Sequence, residues 1–434
     1  MKVYIFLAFF LFNIFFSFSQ NYNKRIERKI KKIEAFNGVH IAISLEGLKY
    51  GKKFIAFNED KYMSPASNTK LLTFLASINT FDSIPSIKYY IENDTILNFK
   101  SIGYPLLLHP FYEDQNLFSF LNNSKQLVYH NSTDEVPRYG PGWSWDDYDY
   151  YFSSEVSKFP IYGNVISIRK DSLGSKIYVT PNYFQNKLKV ISDKLEPLIK
   201  RLENKNIYKI NEKNWKITDT IQSPFLTSDS LFINLLSRAL NKNINIKNEN
   251  DIDSITNWKI LYAQNNDVIY KALLQDSDNL IAESLLLMIS KKKFDSFKSN
   301  NAINFFKNDW SSILLDPLIW VDGSGVSRYN LFTARTIISI LKQIYKQIGW
   351  KKVKKLFPAG GVSGTIKDYY KSKKEPFVYA KTGTLINNHN LSGFLVGRSK
   401  KKYLFSIMVN HHKSSNIDVR NGIGELLFYL RKKL

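Results

Sequence analysis

The chain has 434 residues, 44% hydrophobic and 23% charged, values that exclude global disorder and a polytopic membrane protein. Because it contains no cysteine, it cannot form a disulfide scaffold, a zinc–cysteine cluster, a catalytic thiol or a lipid-modified N-terminal cysteine. The net charge is +23, but its lysines are dispersed, so we expect no nucleic-acid binding and leave open peripheral contact with a membrane or a cell wall.

The N-terminal segment predicts export. Lys2 precedes an apolar run over residues 3–16, and the run ends in Ser17-Phe18-Ser19, the small-x-small pattern that signal peptidase cleaves. The run is short for a membrane span, although an uncleaved anchor is the alternative. We therefore expect residues 1–19 to be a signal peptide and the mature protein to begin near Gln20 in the periplasm.

A strand pair and a helix start come next. Residues 38–45 (GVHIAISL) predict a strand, and residues 54–58 (FIAFN) predict its partner across a turn rich in glycine and lysine. The segment SPASNTKLL then predicts a helix with Ser64 as N-cap, Pro65 at the first helical position and Ser67 in the first turn.

The rest of the chain contains two regions that differ in amino-acid composition and pattern. Residues 81–244 consist of short strand-like runs, many aromatic residues and asparagine-rich turns, which indicate a separate module. Around Asp276 an apolar helix begins, and its final lysines suit the C-terminal dipole. The C-terminal region predicts three strands and a last helix: Phe377–Lys381, Leu391–Gly397, Tyr403–Asn410 and Asp418–Leu434.

Ser67 and Lys70 form the first candidate catalytic pair. Their spacing of three residues at a helix start places an amine within reach of a hydroxyl. The same Ser-x-x-Lys pattern recurs elsewhere in the chain, so its interest lies in the context, where free backbone N–H groups favour developing negative charge.

Two further motifs follow in order. Ser277-Asp278-Asn279 precedes the strong helix, and Lys381-Thr382-Gly383-Thr384 ends an apolar strand. Alone, the first is an ordinary N-cap and the second an ordinary turn. Together with Ser-x-x-Lys they form the signature of penicillin-binding proteins and class A β-lactamases.

The chemistry explains why all three motifs are needed. A serine hydroxyl is a weak nucleophile until a base removes its proton, and bringing a lysine pKa from about 10.4 to 7 costs about 4.6 kcal/mol. We expect burial and the nearby cation Lys381 to supply that shift, and Lys381 to attract a substrate carboxylate. Ser277 can pass a proton to the leaving amine, and Asn279 can bind both Lys70 and a substrate amide.

Two backbone features complete the predicted site. Gly383 has no side chain, so a substrate backbone can lie against its strand. The N–H groups of Ser67 and Thr384 are the expected oxyanion hole.

The sequence resembles the penicillin-binding protein 4 type of D-alanyl-D-alanine carboxypeptidase and endopeptidase, a serine peptidase family. The resemblance covers most of the mature chain and includes, in order, SPASNTKLLT, GWSWDD, SDNLIAESLL, DGSGVSRYN, PAGGVSGT and AKTGTL. It implies an α/β (α+β) transpeptidase or β-lactamase-like domain with an antiparallel sheet flanked by helices. That domain would comprise residues 20–85 and 245–434, split by a mostly-β inserted module at 86–244.

The same resemblance implies how substrate is held. Asp146 and Arg328 would grip the free amine and carboxylate of the peptide side chain, with Asp147 an equal candidate for the acid. Further substrate contacts would come from Trp143, Ser324, Thr382, Gly383 and Thr384. After Asp147 the sequence departs from the family pattern, which leaves its fine substrate preference open.

We therefore expect a serine carboxypeptidase or endopeptidase that acts on peptidoglycan stem peptides through an acyl-serine, is inhibited covalently by β-lactams and needs no metal or cofactor. A non-catalytic peptidoglycan-binding protein on the same fold is one alternative. A class A β-lactamase would need a Glu-x-x-Leu-Asn element, which is absent, and Tyr162-Gly163-Asn164 matches the class C element only in a strand-like run. No Gly-x-Ser-x-Gly elbow supports a Ser-His-Asp hydrolase or esterase, and we interpret His411-His412 as a loop or surface pair rather than a metal site.

Overall fold

The structure is a computed structural model and describes residues 24–112, 114–174, 176–193, 196–248 and 257–434. The expected signal peptide, residues 1–19, lies outside the described residues. Within those ranges, no helix combines the length and apolar character needed to cross a membrane.

The strands are, in chain order, β1 (His40–Gly47), β2 (Lys53–Phe57), β3 (Tyr62–Met63), β4 (Pro85–Glu92), β5 (Ile96–Ser101), β6 (Gln126–Asn131), β7 (Val165–Lys170), β8 (Ile177–Thr180), β9 (Leu188–Ile191), β10 (Ile199–Arg201), β11 (Tyr208–Asn211), β12 (Ile221–Pro224), β13 (Ile244–Asn248), β14 (Lys259–Tyr262), β15 (Phe332–Thr333), β16 (Val378–Leu385), β17 (Asn388–Val396) and β18 (Lys402–Asn410). The helices are α1 (24–30), α2 (Lys70–Thr80), α3 (Gln115–Asn123), α4 (Asp229–Leu240), α5 (Asn266–Lys271), α6 (Asn279–Phe294), α7 (Ser299–Asp309), α8 (Ala334–Leu356) and α9 (Asn416–Lys433).

A five-stranded antiparallel sheet joins the two ends of the chain. Its order is β16-β17-β18-β1-β2, so the C-terminal strands close on the N-terminal hairpin. Alternate residues face opposite layers, as in β1, where Ile41 and Ile43 enter one core and Ala42 enters another. The strands expected from the sequence are confirmed, with shifted ends.

Helices cover both faces of this sheet. On one face, α8 packs on β18 and β1 and meets α2, which also contacts α6. On the other face, α9 packs on β17, with Ile423 and Leu427 in the same core as Leu391 and Ile407. The expected antiparallel sheet flanked by helices is thus confirmed.

The middle of the chain forms a second five-stranded sheet and two smaller ones. The second sheet has the order β13-β6-β5-β4-β14, in which β5, β6 and β13 run parallel. Strands β13 and β14, within residues 244–262, also belong to this sheet. The sequence had indicated that the middle region ends at residue 244. Leu117 of α3 and Leu235 of α4 share one hydrophobic core with α2 and α6, so the middle region is packed onto the elements that carry the motifs.

Candidate active site

The predicted nucleophile lies in a single 3-10 turn rather than in the first turn of an α-helix. Ala66–Thr69 form this turn, and α2 begins only at Lys70. The prediction that Ser64 caps the helix is wrong, because its Oγ has no hydrogen-bond partner among the described residues and Pro65 is the residue that precedes the turn. The backbone N–H and C=O of Ser64 bind asparagine side chains of β18 and β17. Ala66 adopts a φ of 46°, an uncommon left-handed conformation for a residue with a Cβ. Contacts with the sheet therefore shape the turn that presents Ser67.

The Lys70 amine lies beside the nucleophile, as the spacing predicts. Its Nζ is 3.0 Å from Ser67 Oγ, 2.6 Å from Asn279 Oδ1 and 2.7 Å from the carbonyl oxygen of Ser324. The side chain is fully buried, and burial lowers its pKa to about 8, although three nearby carboxylates oppose the change. Burial therefore brings an ordinary amine close to the range in which it can take a proton near neutral pH.

The three neighbours of Lys70 Nζ also orient its lone pair. The Asn279 amide oxygen and the Ser324 carbonyl oxygen can only accept hydrogen bonds, whereas the Ser67 hydroxyl can donate. A neutral amine has two N–H groups and one lone pair, so the two acceptors take the N–H groups. The lone pair then faces the Ser67 proton, which is the geometry of a general base.

The second and third motifs meet in another amine–hydroxyl pair. Lys381 Nζ donates to Ser277 Oγ and to the Thr382 carbonyl oxygen, both at 2.8 Å. Burial and then the charge of Lys70 lower the pKa of Lys381 well below its usual range. The expected contribution of Lys381 to the lowered pKa of Lys70 is not found, because burial is the cause that lowers it and the charges that act on Lys70 are those of carboxylates.

The Ser-Asp-Asn motif combines a helix cap with two side chains of the site. Asp278 caps α6 by accepting the Ile281 N–H at 2.9 Å, so its carboxylate is a structural group. Ser277, just before the cap, has a φ of 62°, and Asn279 is the first helical residue. Asn279 Nδ2 donates to the Phe152 carbonyl oxygen at 2.6 Å, which holds Oδ1 towards Lys70.

Strand β16 lies at the edge of its sheet and turns free N–H groups outwards. The Ala380 N–H donates to the Pro358 carbonyl oxygen, on the side away from β17. Because N–H directions alternate along a strand, the N–H groups of Thr382 and Thr384 point to that same side. The Thr384 N–H is thus directed as the expected oxyanion hole requires.

Two glycines are needed for close packing around the Ser67 turn. A Cβ on Gly383 would lie 2.3 Å from the Pro65 carbonyl oxygen, so this glycine lets β16 touch the turn. The prediction that Gly383 makes room for substrate is therefore wrong on its physical reason. Gly325, with a φ of 80°, approaches the turn from another side, where a Cβ would lie 1.9 Å from the Ala66 carbonyl oxygen.

Two buried carboxylates organise the loop behind Lys70. Glu283 of α6 accepts the N–H groups of Gly323 and Ser324, at distances from 2.8 to 3.1 Å, and so fixes the Ser324 carbonyl oxygen that binds Lys70. Asp322 accepts the N–H groups of Gly325 and Ser327 at 2.8 and 2.6 Å. Burial, followed by the charge of Asp322, raises the pKa of Glu283.

A cleft of about 920 Å³ opens at Ser67. Side chains of all three motifs line it, and so do the expected substrate-gripping residues Asp146 and Arg328. Asp147 also lines the cleft, where burial and then Asp146 raise its pKa while Arg328 lowers it. The structure thus brings these charged groups to one wall.

Two predicted substrate contacts are not at the cleft surface. The Trp143 indole N–H donates to Asp322 Oδ2 at 3.0 Å, which anchors its loop. Ser324 is fully buried and meets Lys70 through its carbonyl oxygen, so the expectation that its side chain contacts substrate is wrong. Both residues therefore hold other parts of the site in place through these hydrogen bonds.

Sequence reasoning missed several residues of the site. Thr365 lines the cleft and bonds Thr382 Oγ1 at 2.8 Å, and the PAGGVSGT motif was the available signal. Glu283 lies in SDNLIAESLL, but nothing in the sequence showed that its carboxylate turns inwards. Arg420 and His389 came with no motif; the first lines the cleft and the second bonds Thr384.

In the described part of the chain, no group of three or more histidine, aspartate or glutamate side chains could hold a metal ion. His411 and His412 follow β18 in a loop, as one of the two interpretations of this pair expected. His411 is exposed, but His412 is only 3% exposed, so a surface position is wrong for the second ring. Tyr162–Asn164 form a single turn before β7, with no α-helix after it.

The assembled Ser-Lys, Ser-Asp-Asn and Lys-Thr-Gly motifs are the signature of the class of proteins that contains the penicillin-binding proteins and the class A β-lactamases. The sequence profile of the D-Ala-D-Ala carboxypeptidase 3 (S13) family matches residues 122–429. The chain belongs to this family, which confirms the resemblance seen in its motifs.

Individual relatives agree with this assignment. D-alanyl-D-alanine carboxypeptidase DacB of Haemophilus influenzae is 29% identical over 172 residues, which are 38% of this chain and 35% of that protein. The match thus spans about a third of that relative's length. The crystal structure of penicillin binding protein 4 from the same organism has a TM-score of 0.73 at 20% identity and covers 94% of this chain and 98% of its own. A predatory peptidoglycan endopeptidase from Bdellovibrio bacteriovorus has a TM-score of 0.52 at 12% identity, covering 91% and 93%. These structural likenesses show the fold.

Proposed function

We propose that the protein is a serine D-alanyl-D-alanine carboxypeptidase or DD-endopeptidase that cleaves peptidoglycan stem peptides through an acyl-serine and is acylated by penicillins. The observation that carries this proposal is the Lys70 amine, buried and 3.0 Å from Ser67 Oγ, with its other two neighbours acting as acceptors. The substrate class is supported by a relative of the chain that is named a D-alanyl-D-alanine carboxypeptidase.

The geometry of the site supports the following acylation step. The Ser67 proton passes to Lys70 Nζ as Oγ attacks the carbonyl carbon of the penultimate D-Ala. The oxygen of that carbonyl becomes an oxyanion, and the N–H groups of Ser67 and Thr384 stabilise it. When the tetrahedral intermediate collapses, the C–N bond breaks, and the leaving amine takes a proton from Lys70, with Ser277 as the relay.

Deacylation reuses the same base. A water molecule gives a proton to Lys70 and attacks the ester carbonyl, after which the proton returns to Ser67 Oγ as the ester bond breaks. The amine released earlier, during acylation, is D-Ala in the carboxypeptidase reaction and the diaminopimelate of a second, cross-linked stem peptide in the endopeptidase reaction. Both amines lie next to a carboxylate, so one site can serve both reactions.

The acidic and basic residues on the cleft wall suit the rest of the substrate. Asp147 is partly buried beside Asp146, and Arg328 is exposed next to them. We propose that this group binds the amine and carboxylate of a diaminopimelate side chain, with one aspartate taking the amine and Arg328 the carboxylate. The N-terminal pattern of residues 1–19 supports export to the periplasm, where this substrate is found.

The first test is covalent labelling. Purified protein should react with a fluorescent penicillin at Ser67, as located by peptide mass mapping, and Ser67→Ala should abolish the label. Ser399→Ala is the matched control, because Ser399 begins another Ser-x-x-Lys sequence on the exposed surface. No labelling of the wild-type protein, with sacculus binding retained, would identify a non-catalytic wall-binding protein instead.

The second test separates the possible reactions. Defined monomeric and cross-linked muropeptides are incubated with the enzyme, and the products are weighed by mass spectrometry. Release of single alanine marks the carboxypeptidase, and conversion of dimers to monomers marks the endopeptidase. Rapid turnover of penicillin without either product would favour a β-lactamase.

A further inference from the structure

Arg420 is a cationic residue of the cleft. It belongs to α9 and lines the same cleft as Thr384, Ile386 and Asn416. Its guanidinium lies 4.9 Å from the centre of the Tyr369 ring, and its Nε is buried with no hydrogen-bond acceptor among the described residues. A cation with an unpaired buried N–H is unfavourable in the free protein and is satisfied when an anion binds.

The amine expected to attract a substrate carboxylate is not available for it. Lys381 is fully buried, and two of its N–H groups are committed to Ser277 and to the Thr382 carbonyl oxygen. Its pKa is also lowered by burial and by Lys70. The strand end at Thr384 therefore needs a different cation at the cleft surface.

A buried histidine determines how the Thr384 hydroxyl is used. His389 faces Thr384 across the β16–β17 ladder, and its Nδ1 lies 2.7 Å from Thr384 Oγ1. Burial, and after it the neighbours Arg420, His412 and Lys381, lower the pKa of His389 to about 3, so the ring is neutral at physiological pH and carries one hydrogen.

The position of that hydrogen follows from the neighbours. His389 Nε2 is buried and has no partner among the described residues. A hydrogen on Nε2 would leave a buried donor unpaired, close to the positive charges of Arg420 and Lys381, which is the worse arrangement. The hydrogen therefore lies on Nδ1 and is donated to Thr384 Oγ1, which leaves the threonine O–H free to donate into the cleft.

Thr384 is already an expected substrate contact. We propose that Arg420 supplies the cation that binds the carboxylate next to the scissile bond, and that His389 is a positioning residue that directs the Thr384 hydroxyl to that carboxylate. This inference rests on the proposed function, because that carboxylate belongs to the C-terminal D-amino acid, or to its counterpart in a penicillin. The guanidinium supplies charge, and the threonine hydroxyl supplies a directed donor.

The test compares two peptides that differ only in this charge: diacetyl-Lys-D-Ala-D-Ala as the free acid and as the C-terminal amide. In Arg420→Gln, kcat/KM for the acid should fall about 10- to 100-fold, because the substitution removes a hydrogen bond between charged groups. The amide has no such charge, so its kcat/KM should change little. Arg431→Gln is the matched control on the same helix, because Arg431 bonds Ser372 away from the cleft. It should leave the acid-to-amide ratio unchanged.

The histidine is tested by removal and replacement. His389→Phe should raise KM for the acid, whereas His389→Asn, whose amide N–H can occupy the place of Nδ1, should restore it. If Arg420→Gln leaves the ratio of kcat/KM for the acid to kcat/KM for the amide unchanged, whether or not both values fall, the inference is overturned. Fluorescent penicillin at saturating concentration reports on the proposed function separately: labelled protein with an unchanged ratio refutes only this subsite, and unlabelled wild-type protein refutes both.

Discussion

The rate of acylation should rise with pH through the pKa of Lys70. Burial lowers this pKa from 10.5 to about 8, which makes protonation of the amine less favourable by roughly 3 kcal/mol. Only the neutral amine can take the Ser67 proton. With a pKa of about 8, roughly a tenth of the amine is neutral at pH 7 and roughly nine tenths at pH 9, so acylation should be about tenfold faster at pH 9.

The assay is single-turnover acylation by penicillin, quenched at intervals between pH 6 and pH 10 and followed by intact-protein mass. The second-order rate constant should increase with a midpoint near the pKa of Lys70. Lys70→Arg should abolish acylation, because a guanidinium does not lose its proton in this range. Lys351→Arg on the exposed surface of α8 is the matched control.

Two results would refute the reasoning about Lys70. The first is an acylation rate that does not change over this pH range in the wild-type protein. The second is a Lys70→Arg variant that keeps a substantial part of the wild-type rate. Either result would move the role of general base to another group.

Three further predictions concern the surroundings of the base. Asn279→Asp places a carboxylate beside the Lys70 amine and should raise the acylation midpoint and slow acylation at pH 7; an unchanged profile would contradict the contact. Glu283→Gln removes a charge that raises the pKa of Lys70, so the midpoint should fall in the same titration, and a higher midpoint would count against this electrostatic link. Gly325→Ala should destabilise the protein by more than about 2 kcal/mol in urea unfolding, whereas Gly38→Ala has the same backbone strain with open space around it and should cost less; equal losses would show that the clash is relieved.

Local pattern was sufficient for the elements and for the catalytic groups. Ser67 and Lys70 contact each other because three residues along a helical start span a fixed distance, which holds in almost any context. Short runs rich in apolar residues likewise predicted the strands at residues 38–45 and 403–410. The order of the three motifs then indicated the family, because unrelated folds rarely combine all three in that order.

Other features depended on contacts between distant segments. Ser64 looks like an N-cap, yet asparagines from β17 and β18 bind its backbone and the helix begins later. The reason for Gly383 is the turn that packs against it, and the burial of Ser324 comes from a loop held by Glu283. None of these contacts has a local signature.

The sequence by itself determined which residues can do the chemistry, because the spacing and type of Ser67, Lys70 and the two later motifs follow from covalent geometry and side-chain chemistry. Only the tertiary structure decided how those groups are charged and oriented. The pKa of Lys70 depends on burial, and the directions of its N–H groups depend on Asn279 and Ser324, which arrive from remote parts of the chain. Desolvation and hydrogen-bond direction are properties of the packed interior, so they appear only after the chain has folded.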